Sequence, residues 1–360
     1  MKKIRILLLA LLPLAAVLHL LHAGPVWVFA AGGLAVAVLA DWIRRAAEAL
    51  AAHAGPAVGG LLTVSFGSAA ELFLGFFVLL DYGAELVRAQ ITGSIIGTNL
   101  LGLGLAIFAG GLRFDRQTFK RERAGLLASM LVLSVIALFL PAVFDFATGA
   151  RLGQEHAPAM SDEELSLAVS AVLLILYAGS LIFAFITHRD ILAPQDQEPP
   201  DAPGWGIGRS LAILAGATFA AAAAAEIVSS VLQAAGERLG FPLLFVAVVP
   251  LALAGTSADL GAAFIFGRKD RMDLVMSICV GSAIQSALVV APLLVLASWA
   301  AGTPMTLVFA DPLQLFAIAG AVLIVNSVAR DGETAWFEGL LLAGVYVLFA
   351  LAFYFTGPPP

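Results

Sequence analysis

The sequence predicts an all-α polytopic membrane protein of about 11 transmembrane helices: two inverted five-helix repeats preceded by one extra N-terminal helix. Three observations predict it. The 360 residues are 61% hydrophobic and 12% charged, against about 45–50% and about 25% in ordinary soluble domains. Apolar runs of about 18 residues or more, each able to cross a hydrocarbon core of roughly 30 Å as a helix, recur from end to end. Two short motifs also come twice at one constant offset.

Taken in order, the apolar runs lie near 4–21, 25–42, 58–80, 89–112, 123–144, 165–187, 209–234, 241–267, 273–299, 309–329 and 335–356. The first follows Lys2, Lys3 and Arg5 and ends near His22-Ala23-Gly24, a pattern that a signal peptide shares. It is read as a retained helix over 1–23, because its apolar run is long for a signal peptide and the orientation works with it in place. With the N-terminus cytoplasmic, only Arg88, Arg151 and Arg238 of the 19 Lys and Arg residues fall in outside loops. That follows the positive-inside rule and puts the C-terminus outside a cell inner membrane. The Pro-rich, acidic stretch 188–208 reads as a cytoplasmic linker between a first repeat, 24–187, and a second, 209–360. In the polar stretch 145–164, Ser161 followed by Asp162, Glu163 and Glu164 reads as a helix N-cap with acids on the positive end of the dipole.

The repeat is carried by its spacing. Glu71, in FGSAAELFLGFFVLL, is followed by Gly93-Ser94-Ile95-Ile96, and Asp259, in AGTSADLGAAFIFG, is followed at the same distance by Gly281-Ser282-Ala283-Ile284. Both motifs are therefore displaced by one and the same step, from 71 to 259 and from 93 to 281. An odd number of spans between the copies inverts the second, an arrangement that places a shared site near the bilayer midplane.

In each copy small residues are expected to break an apolar helix around the acid, at Gly67-Ser68-Ala69-Ala70-Glu71 and Gly255-Thr256-Ser257-Ala258-Asp259, freeing backbone carbonyls for a cation. An acid at this depth costs about 2.5–3.5 kcal/mol on insertion scales and faces a cavity or a partner. Two carboxylates with carbonyls, hydroxyls and waters form a hard-oxygen set suited to calcium rather than to zinc or copper. Close carboxylates repel, so protons can replace the metal without leaving bare buried charge.

Other intramembrane polar groups are candidates around this pair. Glu226, in AAAAAEIVSS, is read as a site or relay acid, Gln285 as an amide oxygen for the ion, and Asn99 with Thr98 as their match in the first repeat. Ser94 and Ser282 either line the site or cap a broken helix. Gly97, Gly102 and Gly104 are read as close-packing positions, Asp41 and Glu48 as interfacial partners of Arg44 and Arg45, His188 as structural and Cys279 as a small buried residue.

These strings resemble the calcium/proton exchanger family of the calcium/cation antiporter superfamily, in GGLLTVSFGSAAEL (59–72), GSII (93–96), YAGSLIFAFITHRD (177–190), GRKDRMDL (267–274), GSAIQSALVVAPLLVL (281–296) and DGETAWFEGLLL (331–342). The resemblance runs from about Leu34 onward. It implies ten core helices plus the extra one, with Glu71 and Asp259 as the two essential acids, Gln285 as the second-repeat amide, and export of Ca2+ or a similar divalent ion such as manganese in exchange for protons by alternating access. Several positions depart from the pattern. Ser68 and Thr256 stand where the family has Asn, Asp259-Leu260 where it has Glu-His, and Asn99 lies one place late. GTSAD is similar instead to the sodium/calcium branch, which keeps open a sodium-coupled exchanger using the hydroxyls of Ser68, Thr256 and Ser257.

The expected partners are inorganic cations, Ca2+ and H+ with Na+ as the alternative, and the lipid bilayer. No resident cofactor is expected, homo-oligomerisation is left open, and without a Lys/Arg tract interleaved with aromatics nucleic-acid binding has nothing to stand on. No Ser/Lys or Ser/His pair and no HExxH motif supports an intramembrane enzyme. A nontransporting scaffold would be indifferent to neutralising either acid.

Overall fold

A computed structural model describes residues 9–152, 159–183 and 204–356. Among them, nine helices are long and apolar enough to cross a membrane, as the composition demands. The start of the first expected span and the linker over 188–203, with His188, lie outside the described residues. Within them, the first span appears as the ten-residue α1 (Leu11–Leu20).

The second and third expected spans meet in one element. Helix α2 (Pro25–Gly67) runs for 43 residues, roughly 65 Å at about 1.5 Å per residue, twice a hydrocarbon core. The charged segment expected to end it does not, because its ions satisfy one another along the helix. Asp41 receives Arg44 at 3.0 Å and Arg45 at 2.7 Å, and Arg44 also pairs with Glu48, the i,i+3 and i,i+4 spacings that a helix supports. The break comes at Ser68 (φ −96°, ψ 12°), after which α3 (Ala69–Tyr82) carries Glu71 in its first turn. Gly83, at φ 85°, turns the chain into α4, a conformation open to glycine at little cost.

The repeat is visible in the backbone. Helix α4 (Ala84–Ile96), a π-helical stretch over Gly97–Gly102 and α5 (Leu103–Gly111) are matched by α12 (Met272–Gln285), a π-stretch over Ser286–Val290 and α13 (Ala291–Ala300). Ala84 and Met272, where the two begin, keep the same displacement as the acids. Pro292, just past the second π-stretch, has no N–H for the carbonyl four residues back, which favours the shifted ladder. These two helices are the most buried spans, 83% and 72%, against 22% for α7 and 28% for α15. They form the centre of the bundle.

Around them stand α6 (Arg121–Leu152) and α7 (Ala159–Ile182), α8 (Ile207–Ser230) and the short α9 (Leu232–Leu239). Next come α10 (Leu243–Val246), a π-stretch over Ala247–Leu251 containing Pro250, and α11 (Ala252–Gly267). Helices α14 (Pro312–Asp331) and α15 (Trp336–Thr356) complete the chain. Helix α7 already begins at Ala159, in good helix formers, so Ser161 lies inside it and is not its N-cap; Asp162 falls in the first turn. Strands β1 (Gln117–Thr118) and β2 (Glu333–Thr334) pair antiparallel, Gln117 opposite Thr334, tying the loop after α5 to the loop before α15. Sequence periodicity holds no sign of this short ladder.

Helix α8 packs along α2, α15 along α5, and α14 against α6. A methyl group at Gly104 would stand 2.8 Å from Gly339 O and 2.8 Å from Ala343 N, so α5 and α15 touch backbone to backbone. The halves differ at one pair of matched glycines. A methyl at Gly93 would collide with the carbonyl of Val248, whereas at its counterpart Gly281 it would meet nothing within 4 Å among the described residues.

Candidate functional site

The two acid motifs converge. Gly255 of α11 lies on Glu71: a methyl group at Gly255 would stand 3.4 Å from the Glu71 Cα and 3.5 Å from its Cβ. The charges of Glu71 and Asp259 are close enough to repel. Glu71 is 2% exposed, near the positive end of α3's dipole. The Ser286 hydroxyl, reaching across from the second repeat, lies 2.9 Å and 3.0 Å from the two carboxylate oxygens and donates to them; Ser94 sits beside the same carboxylate. Gln90 Nε2 donates to the main-chain oxygen of Glu71 at 3.0 Å.

Asp259, half-buried, accepts from Ser282 Oγ at 2.8 Å and feels the positive charge of Arg44 on α2. Ser282 thus lines the site. Ser68, the break residue of the first motif, donates to Gln285 Oε1 at 2.8 Å, and Gly67 leaves room for that amide, its built Cβ 3.4 Å away. Glu71, Asp259, Gln285 and Ser68 are therefore brought together as expected.

Other expectations fare differently. The second motif is not broken: α11 runs unbroken through Gly255–Asp259, with the irregularity displaced upstream to the π-stretch at Pro250. Thr256 Oγ1 donates to Ala252 O at 2.9 Å and Ser257 Oγ to Ala254 O at 2.8 Å, back-bonds that hold both hydroxyls along their own helix and leave their lone pairs free. Asn99 is fully buried in the first π-stretch, and neither of its amide atoms has a hydrogen-bond partner; buried polar atoms of this kind normally pair with protein, water or an ion. Glu226 is not drawn in. Its helix buries Ala221, Ala224, Ala225 and Val228 and leaves Glu226 exposed on another face. Cys279 is buried, 1% exposed.

Sequence reasoning missed Ser286 and Gln90. Ser286 was within reach, because the step that carries Glu71 onto Asp259 also carries Thr98 onto Ser286. Gln90 was not, since Ile278 occupies its matched position. Among the described residues no three His, Cys, Asp or Glu side chains gather to hold a metal. What the site offers is two carboxylates surrounded by neutral oxygens from Ser68, Ser94, Ser282, Ser286 and Gln285, a hard-cation set.

An inverted-repeat helical bundle that brings one acid from each repeat to a common centre defines a secondary carrier for cations. The chain belongs to the sodium/calcium exchanger protein family, whose model matches residues 24–186 and 209–355. It is 38% identical to the Ca(2+)/H(+) antiporter of Synechocystis sp. over 98% of this chain and 97% of that protein. It is 34% identical to the Ca(2+)/H(+) antiporter ChaA of Bacillus subtilis over 97% and 98%. The solved structure of native YfkE superposes with a TM-score of 0.81 at 31% identity, covering 97% of this chain and 98% of that one.

Proposed function

We propose that this membrane antiporter exports Ca2+, or a similar divalent cation, from the cytoplasm in exchange for protons by alternating access, with Glu71 and Asp259 binding both in turn. One observation carries the reading: two carboxylates from oppositely oriented motifs, Glu71 buried and Asp259 half-buried, near enough to repel, whose hydrogen-bond donors are neutral hydroxyls. One divalent cation or two protons neutralise such a pair equally, so loading one expels the other. The names of the relatives at 34% and 38% identity support calcium and protons as the exchanged ions. Sodium coupling finds less support, because the relatives at 34% and 38% identity are named for calcium and protons.

The positive-inside rule supports a cytoplasmic N-terminus in a cell inner membrane, with the loops around Arg113–Arg123 and Arg268–Arg271 inside. Half-buried Phe66, Gly67, Ser68, Ser257, Asp259 and Gln285 line the centre toward that arginine-rich end, while Leu74, Gly75, Ala252 and Leu251 are buried on the other side. This supports an inward-facing conformer. The test is Ca2+ flux in reconstituted vesicles driven in turn by a pH gradient and by a sodium gradient. Flux that follows the pH gradient and disappears in Glu71→Gln and Asp259→Asn is expected; flux that requires sodium overturns the proton reading.

A further inference from the structure

Helices α6 and α7 leave an apolar crevice of about 340 Å³ between them, lined by Leu126, Met130 and Leu133 of α6, Leu176 and Gly179 of α7, and Leu288 of the second π-stretch. Ser134 and Ser180 also reach its wall, but their hydroxyls are tied to Met130 O and Tyr177 O at 2.7 Å, so a guest meets an apolar surface. A side chain added at Gly179 would point into open space. At the arginine-rich end of the same stripe stands Arg123, since residues 123, 126, 130 and 133 follow one another at helical spacing on one face. Arg123 Nε is buried without a hydrogen-bond partner. Asp273, the acid whose charge it feels, already accepts the Lys120 N–H at 2.8 Å.

We propose that this crevice is a binding site for one anionic phospholipid, an acyl chain between α6 and α7 and the headgroup phosphate against the Arg123 guanidinium. The volume lies in the range of about 300–1,000 Å³ typical of ligand sites. Basic positions between transmembrane helices on the cytoplasmic side bind anionic headgroups, and a guanidinium matches phosphate oxygens in geometry as well as charge. The tip of the chain rests on Leu288, two positions from the Ser286 that holds Glu71, so the bound lipid touches the element that shapes the ion site.

Native mass spectrometry of the purified protein with added phosphatidylglycerol or phosphatidylcholine tests this independently of transport. One phosphatidylglycerol is expected to stay on the wild type under activation that strips phosphatidylcholine. Arg123→Gln should lose that preference, and Gly179→Phe, which fills the crevice from a position with room for it, should lose both adducts. Phosphatidylglycerol retained equally in both variants overturns the site. Loss in Arg123→Gln alone overturns the crevice as the seat of the chain, and a dimer that Gly179→Phe dissociates assigns the crevice to a second copy instead.

Discussion

Around Glu71 the hydroxyl of Ser286 reaches both carboxylate oxygens from the other repeat, which makes Ser286 a sharper probe than the acid itself. A hydrogen bond to a charged group is worth about 1.5–3 kcal/mol, and about 1.4 kcal/mol is tenfold in affinity. Ser286→Ala is therefore expected to raise the half-saturating Ca2+ concentration by roughly tenfold or more, while Ser286→Thr, which keeps the hydroxyl, stays near wild type; uptake titrations in vesicles read both. Glu226→Gln, by contrast, should leave that concentration within about twofold, because the side chain is exposed on α8 and away from the acid pair. The sequence made Glu71 and Asp259 legible because a constant offset links them and an acid inside an apolar helix needs a reason, and Gln285 because it directly follows the second GSAI. It misplaced Glu226 because the alanines flanking it hide which face of the helix is buried. Alanine serves a lipid face and a tight helix contact equally well.

The elements repeat the same lesson at larger scale. The two central helices were legible as spans near 89–112 and 273–299, although the first begins five residues earlier, at Ala84; their π-stretches were not legible, since a shifted hydrogen-bond ladder leaves composition untouched. Composition divides α2 into two spans because a cluster of four charges looks like a boundary; internal ion pairing lets the helix continue through it. The matched glycines offer a test of how the elements move. Gly93 presses on Val248 and Gly281 faces open space, so Gly93→Ala is expected to disfavour this conformer and Gly281→Ala to be accommodated in it. Exchange of inside and outside labelling of a single introduced cysteine near Ser68 should shift toward the outside for the first substitution and remain inside for the second. The same direction for both would sink the idea that the matched contacts alternate.

At the scale of the whole molecule the halves interleave: α15, from the end of the chain, lies backbone to backbone on α5 through Gly104 and Gly339. Gly104→Val forces those helices apart and should cost about 1–3 kcal/mol, seen as a lower unfolding temperature in detergent without a change in Ca2+ affinity.

The difference between Gly93 and Gly281 has a further consequence. A duplicated chain caught with one copy tight and the other loose has a mirror conformer in which the copies trade places, and most contacts surrendered on one side are regained on the other. The energy separating the two conformers then comes from the positions where the copies disagree, such as Ser68 against Thr256 and Glu71 against Asp259. At about 1.4 kcal/mol per tenfold in population, a handful of such differences is enough to decide at which face of the membrane the empty carrier waits.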